Sequence, residues 1–304
     1  MAKILISDPV SKECIELLKK AGHELDIKTD KKTPEELAVM IKGYDAVVIR
    51  SATKVRKVAI DAADKLKLIV RGGVGIDNID HEYARSKGIT VSNTPTASSQ
   101  SVAELALAHM LALYRFIPQA NITMRNGEWN KKQYKGKEVA GKVLGIIGFG
   151  NIGKSLAKKA IALDMRVLAY DPYVKETDMN VEIVDLDTLV KRSDIISLHI
   201  PHTDQTHYII NENTIAKMKH GVTVINCARG GVVDEKALLE GLNSGKVAFA
   251  GIDSFEEEPA TNAELVSHKN VSVTPHIGAS TKEAQDRVGL EVAEVIIKFF
   301  KECK

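Results

Sequence analysis

Two textures alternate along the chain. Short runs rich in Val, Ile and Leu, four or five residues long, are separated by stretches in which apolar residues return every three or four positions. The first texture fits strands buried on both faces, the second amphipathic helices. One series of strands is predicted at 3–7, 24–28, 46–49, 68–70 and 90–92, with helices between them such as 11–21 and 34–41. A second series is predicted at 143–147, 166–170, 194–198, 222–226, 248–251 and 271–274. Strands that alternate with helices imply parallel sheets covered by helices, and two series imply two α/β domains. A long apolar helix over 101–116 is the natural connector, and a last helix over 281–300 is expected to return to the first domain. The boundaries so predicted are 1–98 plus 281–304 for one domain and 99–280 for the other.

Bulk properties narrow the class. The chain has 304 residues, 44% of them apolar, enough for packed cores. Its net charge of +2 gives no electrostatic case for nucleic acid or an anionic membrane. The longest apolar stretch, 102–117, contains Glu104, His109 and Arg115 and falls short of the roughly 20 residues a span needs. Cys14, Cys227 and Cys303 lie far apart, which suggests neither a disulfide framework nor a metal site. The first residues already read as a strand with no signal peptide before them, so a cytoplasmic protein is expected.

The chemistry begins at the second series. The strand 143–147 runs directly into Gly148-Phe149-Gly150-Asn151-Ile152-Gly153, and 154–163 reads as a helix. This is G-x-G-x-x-G between strand and helix, the context that gives the motif meaning. Gly148 allows the tight turn, Gly150 lets backbone approach a pyrophosphate, and Gly153 lets helix and strand pack closely. The helix N-terminus offers free N–H groups to the anion. Asp171 ends the next strand, 23 residues after Gly148, where an acid takes the ribose hydroxyls and disfavours a 2′-phosphate. NAD is therefore the expected cofactor.

Three further strand ends carry candidate reactive groups. Arg229 follows the strand 222–226 and is flanked by Gly230 and Gly231, which would remove side chains from the path of an approaching substrate. A guanidinium binds a carboxylate bidentately and polarises an adjacent carbonyl. Phe255-Glu256-Glu257-Glu258-Pro259 follows Asp253, and His276 follows the strand 271–274. Histidine suits proton transfer near neutrality, and a carboxylate on its second nitrogen would fix the tautomer. A cation, a proton carrier and a nicotinamide are what hydride transfer to a 2-keto acid requires.

The stretches GIIGFGNIG, NCARGGVVDEKAL, GIDSFEEEP and TPHIGAS resemble the D-isomer-specific 2-hydroxyacid dehydrogenases from end to end. The resemblance implies two doubly wound parallel-sheet domains, a Rossmann NAD-binding domain and a flavodoxin-like substrate (cap) domain. It implies that Arg229, Glu258 and His276 are catalytic, Glu258 being the acid just before proline. It makes Asn151, Ile152, Thr206, Cys227, Ala228, Asp253 and Gly278 cofactor neighbours beside Gly148, Gly150, Gly153 and Asp171. Within the family, VVIRSATKV, RGGVGIDNID and TPHIGASTKEAQ look most like the branch that oxidises 3-phospho-D-glycerate at the entry to serine synthesis. That branch implies a phosphorylated 2-hydroxy acid held by Arg50, Ser51, Val74 and Gly75 together with Arg229 and His276, and a homodimer or homotetramer. The chain stops soon after its last helix, so no serine-binding regulatory domain is expected. The alternatives are a hydroxypyruvate or glyoxylate reductase or another D-2-hydroxyacid dehydrogenase, and, outside enzymes, a dinucleotide-sensing corepressor-like protein.

Overall fold

A computed structural model describes residues 1–30 and 32–302. Lys31, Cys303 and Lys304 lie outside the described residues, and with them the reading of Cys303 as an isolated thiol. The chain divides into two compact units, Met1–Ser98 with the segment from Ala279 onward, and Ser99–Gly278.

The first unit alternates strand and helix: β1 (Lys3–Ile6), α1 (Lys12–Lys20), β2 (Glu24–Ile27), α2 (Pro34–Met40), β3 (Ala46–Ile49), α3 (Lys57–Ala62), β4 (Leu68–Arg71), α4 (His81–Ser86) and β5 (Thr90–Asn93). All pairings are parallel, in the order β2-β1-β3-β4-β5, the flavodoxin-like arrangement. The strand β3 reads AVVI and is buried throughout, as a strand covered on both faces must be. Helix starts follow from caps. Ser11 accepts the Cys14 N–H, and Thr33 and Glu36 form a reciprocal capping box before Pro34. One face of the sheet is covered by Leu37, Ile41, Ala59 and Ile60, the other by Cys14, Leu18, Val288, Val292, Ala293 and Ile296. The last four belong to the C-terminal helix of the chain, which therefore packs on the first sheet. At its crossing with α1, a Cβ on Gly289 would fall 2.1 Å from Ser11 Oγ, so only glycine fits.

The second unit opens with α5 (Ser99–Tyr114) and α6 (Ile117–Arg125), then β6 (Val143–Ile147), α7 (Asn151–Ala162), β7 (Arg166–Tyr170), β8 (Glu182–Ile183), α8 (Leu186–Arg192), β9 (Ile195–Leu198), α9 (Glu212–Lys217), β10 (Val222–Asn226), α10 (Glu235–Ser244), β11 (Val247–Ile252), α11 (Ala263–Ser267) and β12 (Val271–Val273). The C-terminal helix is α12 (Lys282–Glu302). The second sheet is parallel, ordered β12-β11-β10-β9-β6-β7-β8, a doubly wound Rossmann sheet whose order reverses between β6 and β9. Ligand crevices of such sheets open at the C-terminal strand ends beside that reversal.

Most elements differ from the sequence expectation by a residue or two at their ends, and three differences have a physical reason worth naming. The connector helix predicted over 101–116 begins at Ser99 and ends at Tyr114, with Phe116 in the left-handed region at φ 53°. Pro118 is the cause: its ring would clash with the carbonyl four residues back, at Tyr114. That carbonyl accepts the Lys137 N–H at 2.9 Å instead. The helix predicted from 154 starts at Asn151, directly on the glycine turn. The two-residue strand β8 had no periodicity to reveal it. Among the described residues, no helix is long and apolar enough to cross a membrane.

Candidate active site

The glycine turn sits at the C-terminal end of β6, beside the reversal of strand order. Gly148 has φ +94°, and a Cβ there would lie 2.5 Å from the His199 carbonyl oxygen. A Cβ on Gly153 would lie 2.2 Å from the Gly148 carbonyl oxygen, so α7 can start this close to β6 only with glycine at that position. Gly150 differs from both. Nothing lies within 4 Å of its Cβ position, and it is the N-cap of α7 without a side-chain cap. Open space in front of uncapped helix N–H groups is what a pyrophosphate requires. Asp171 closes the far side. Its carboxylate accepts N–H groups from Phe149 at 2.8 Å and Tyr173 at 2.9 Å, which fixes a negative charge next to the turn. Asn151 and Ile152 occupy the first turn of α7, as its N-terminal residues. The residues present fit a dinucleotide with free ribose hydroxyls.

Arg229, Glu258 and His276 leave the C-terminal ends of β10, β11 and β12, three adjacent strands. Adjacency in the sheet is what brings segments so distant in sequence together. His276 Nδ1 lies 2.9 Å from each carboxylate oxygen of Glu258, and Glu258 Oε1 also accepts the Phe255 N–H at 3.3 Å. Both side chains are exposed. With Nδ1 committed to the carboxylate, the ring presents Nε2 outward. His276 itself has φ 52°, a conformation few non-glycine residues adopt. Arg229 Nη1 donates to the Ala228 carbonyl at 2.7 Å.

The loops beneath are tied by two groups. The Asn226 side chain, 4% exposed, donates to the carbonyls of Arg229 at 2.9 Å and Ser254 at 3.3 Å, and its Oδ1 accepts the Ala228 N–H. Sequence reasoning missed Asn226, although an amide closing an otherwise apolar strand was the available signal. Asp253, expected as a cofactor neighbour, is 1% exposed, and its carboxylate accepts from Thr274 Oγ1 at 2.6 Å and from the N–H groups of Ile277 and Gly278 at 2.8 Å. It clamps the segment that carries His276.

Other expected positions take different parts. Gly230 and Gly231 do not clear a path for substrate. A Cβ on Gly230 would meet the Phe255 carbonyl oxygen at 1.8 Å, and Gly231 has φ +76° with His202 Nε2 at 2.9 Å from its Cβ position. The first glycine lets two backbones touch, and the second makes the turn. The side chains of Cys227 and Ala228 face the cores, so only their backbone faces the crevice. Burial pushes the Cys227 thiol well above its ordinary value, with Asp253 adding to the shift. Thr206 Oγ1 donates to the Pro201 carbonyl at 2.6 Å and accepts the Thr203 N–H at 2.8 Å, which shapes the loop after β9.

The remaining expected residues lie on the first unit, at the C-terminal edge of its sheet. Arg50 follows β3 and is partly buried. Its N–H donates to Asp8 and its Nη1 to Gln285, while its buried Nε has no hydrogen-bond partner. Burial lowers the pKa of this guanidinium, and Asp8 opposes that shift. Ser51 is exposed, and Val74 and Gly75 are half-buried, the Val74 carbonyl accepting from Asn93 Nδ2. Arg71, which sequence reasoning passed over, ends β4 in register with Ile49, so two arginines stand on neighbouring strand ends. The stretch LIVRGG repeats the apolar strand–Arg–Gly–Gly pattern of Arg229 and was the signal.

Residues 107–278 match the family described as D-isomer specific 2-hydroxyacid dehydrogenase, NAD binding domain. The chain belongs to this family. It is 52% identical over 299 residues to the hydroxypyruvate reductase of Thermotoga maritima, an alignment that covers 97% of both proteins. It is 49% identical over 305 residues to the D-3-phosphoglycerate dehydrogenase of Methanocaldococcus jannaschii, covering 99% of this chain and 58% of that protein. The chain thus spans little more than half the length of that second relative. Its structure resembles the D-lactate dehydrogenase of Aquifex aeolicus complexed with NAD and lactic acid, at 33% identity and a TM-score of 0.86 over 99% of this chain and 96% of that one. The chain is an NAD-dependent D-2-hydroxyacid dehydrogenase.

Proposed function

We propose that the protein interconverts 3-phospho-D-glycerate and 3-phosphohydroxypyruvate, with Arg229, Glu258 and His276 as the reacting constellation. The unit carrying these residues binds the cofactor through Gly148, Gly150, Asn151, Ile152, Gly153 and Asp171, with the loops of Thr206, Ala228 and Gly278 beside it. The first unit supplies Arg50, Ser51, Val74 and Gly75 to the substrate. The dinucleotide these residues would hold would supply a hydride acceptor for C2 and, in its reduced form, the hydride donor for the reverse direction. Arg229 holds the carboxylate and polarises the C2 oxygen. His276 Nε2 takes the hydroxyl proton as the carbonyl forms, and Glu258, on Nδ1, stabilises the resulting imidazolium. In reverse, Nε2 donates that proton.

The observation that carries the phosphorylated substrate is Arg50. A partly buried guanidinium with an unpartnered Nε, held at Nη1 by Gln285 while Asp8 fixes the backbone N–H of the same residue, is a costly arrangement unless an anion completes it. Arg229 already serves the carboxylate, so a second cation points to a second anionic group. The 52% identity with a hydroxypyruvate reductase of equal length favours a second reading, reduction of unphosphorylated hydroxypyruvate. Both substrates are three-carbon 2-keto acids with an oxygen on C3. NADH oxidation with 3-phosphohydroxypyruvate, hydroxypyruvate, glyoxylate and pyruvate in parallel decides between them. Preference for the phosphorylated acid that collapses in Arg50→Ala is expected. A preference for hydroxypyruvate that survives Arg50→Ala establishes the reductase instead. We further propose a homodimer or homotetramer, consistent with the exposure of Ile117, Ile122, Met124 and Trp129 on and after α6, and sedimentation equilibrium tests it.

A further inference from the structure

His109 takes no part in the chemistry above, yet it is 3% exposed and fully hydrogen-bonded. It lies on α5, which packs across β10, β11 and β12. Its Nδ1 is 2.9 Å from Ser272 Oγ and its Nε2 is 3.1 Å from Thr274 Oγ1. A Cβ on Gly251 would fall 2.8 Å from His109 Cβ and 3.0 Å from Cγ, so β11 carries glycine where the ring presses against the sheet.

The direction of each bond follows from proton counting. Thr274 has one hydroxyl proton, and it goes to Asp253 Oδ1 at 2.6 Å. Thr274 Oγ1 can then only accept from His109, which places the ring proton on Nε2. Burial lowers the His109 pKa and Asp253 works against that shift, so the ring is neutral and Nδ1 accepts from the Ser272 hydroxyl. Donation runs from Ser272 through His109 and Thr274 to the acceptor Asp253. It ends on the carboxylate whose two oxygens accept the N–H groups of Ile277 and Gly278, the two residues after His276.

We propose that His109 is a positioning residue: through Thr274 and Asp253 it holds the backbone that presents His276 in its left-handed conformation. The role rests on the reading of His276 as the proton carrier. Asp253 is a buried carboxylate with few ways to be satisfied, and each donor it keeps is one constraint on the 274–278 segment. Without the His109 proton, the Thr274 hydroxyl loses the donor that orients it, and the clamp loosens at the residue that must stay aligned with substrate.

The test is steady-state kinetics of His109→Leu, Thr274→Val and His109→Gln with the keto acid that wild type reduces best. Amide hydrogen exchange at Ile277 and Gly278 is read in parallel. Leu fills the space without a donor, and Gln returns one toward Thr274. The expected result is a fall in kcat of about tenfold in His109→Leu and Thr274→Val, as for a slightly misplaced reacting group. Exchange at both amides quickens, and His109→Gln recovers most of the rate and of the protection. Leu242→Ala, a buried change on α10, controls for general destabilisation and leaves kcat and both amides as in wild type. Unchanged exchange at Ile277 and Gly278 in His109→Leu overturns the proposal, whatever the turnover. So does a kcat loss that His109→Gln does not reverse. A wild-type protein that reduces no 2-keto acid refutes the function instead, and the exchange data still decide whether His109 holds the segment.

Discussion

Replacing Gly230 by alanine tests whether the Arg229 and Glu258 loops act as one body. The added Cβ would lie 1.8 Å from the Phe255 carbonyl oxygen, 2.4 Å from its carbon and 2.8 Å from the Glu256 nitrogen. All three are backbone atoms, so no side chain can swing aside. Ordinary contact begins at 3.4 Å, so the two loops must part by about 1.6 Å. Arg229 precedes the glycine, and Glu258, which orients His276, lies three residues beyond Phe255. A displacement of about 1 Å between reacting groups costs on the order of 100-fold in rate, or about 2.7 kcal/mol of barrier. Overpacking adds roughly 1–3 kcal/mol of lost stability. The assay is kcat/KM for the preferred keto acid, with NADH affinity from fluorescence and Tm from calorimetry. Loss of kcat/KM by about two orders of magnitude with NADH affinity retained is expected, since the glycine turn at β6 is untouched. Gly231→Ala is the matched comparison. Its nearest neighbour is the tip of an exposed histidine, and its cost is that of a left-handed alanine, about 1–2 kcal/mol. If Gly230→Ala and Gly231→Ala show equal kcat/KM, the loops are not coupled through that contact and the reasoning fails.

Other expectations are independent of that one. His276→Asn suppresses turnover while NADH binding persists, and retained turnover would remove His276 from the proton role. Asp171→Ala weakens NADH and shifts the NADPH-to-NADH ratio of kcat/KM upward by at least about tenfold, because a repelling charge at the ribose is gone; an unchanged ratio places the ribose elsewhere. Burial raises the Cys14 thiol pKa to about 12 and raises that of Cys227 as well, so peptide mapping after iodoacetamide at pH 8 finds both unmodified in the native protein. Buried His109 has a lowered pKa, so its neutral form favours the folded state above the unfolded value near 6.5, and that contribution fades as pH falls below it. The drop in Tm from pH 7 to 5 is accordingly shallower in His109→Gln.

What the sequence made legible, and what it did not, divides by range. The strands of the second sheet are apolar on both faces, and runs such as Val222–Asn226 announced themselves by composition. The glycine turn was legible because its meaning depends only on the strand before it and the helix after it. The start of α7 was not, since Asn151 and Gly153 are weak helix formers held there by the turn. The work of Asp253 was hidden for a different reason. Its partners lie 21 to 25 residues away, and that of His109 on Thr274 lies 165 away. No local pattern encodes a contact that exists only once β10, β11 and β12 are neighbours.

The glycines beside the two strand-end arginines show how far a motif can be read and where reading stops. Arg71 ends an apolar strand, Arg229 follows one by three residues, and both precede glycines. An obvious inference is that the glycines clear space for a ligand of the arginine. At Gly73, with φ +145°, the Cβ position lies 1.8 Å from Arg71 Nη1, so the glycine makes room for the arginine itself to fold back. At Gly230 the same vacancy admits the backbone of Phe255. In each case the missing side chain is filled by the protein, not by a ligand, and what it fixes is where a guanidinium can go. The pattern therefore marks a placed arginine, and the charge, not the glycine, is the part that reports on substrate.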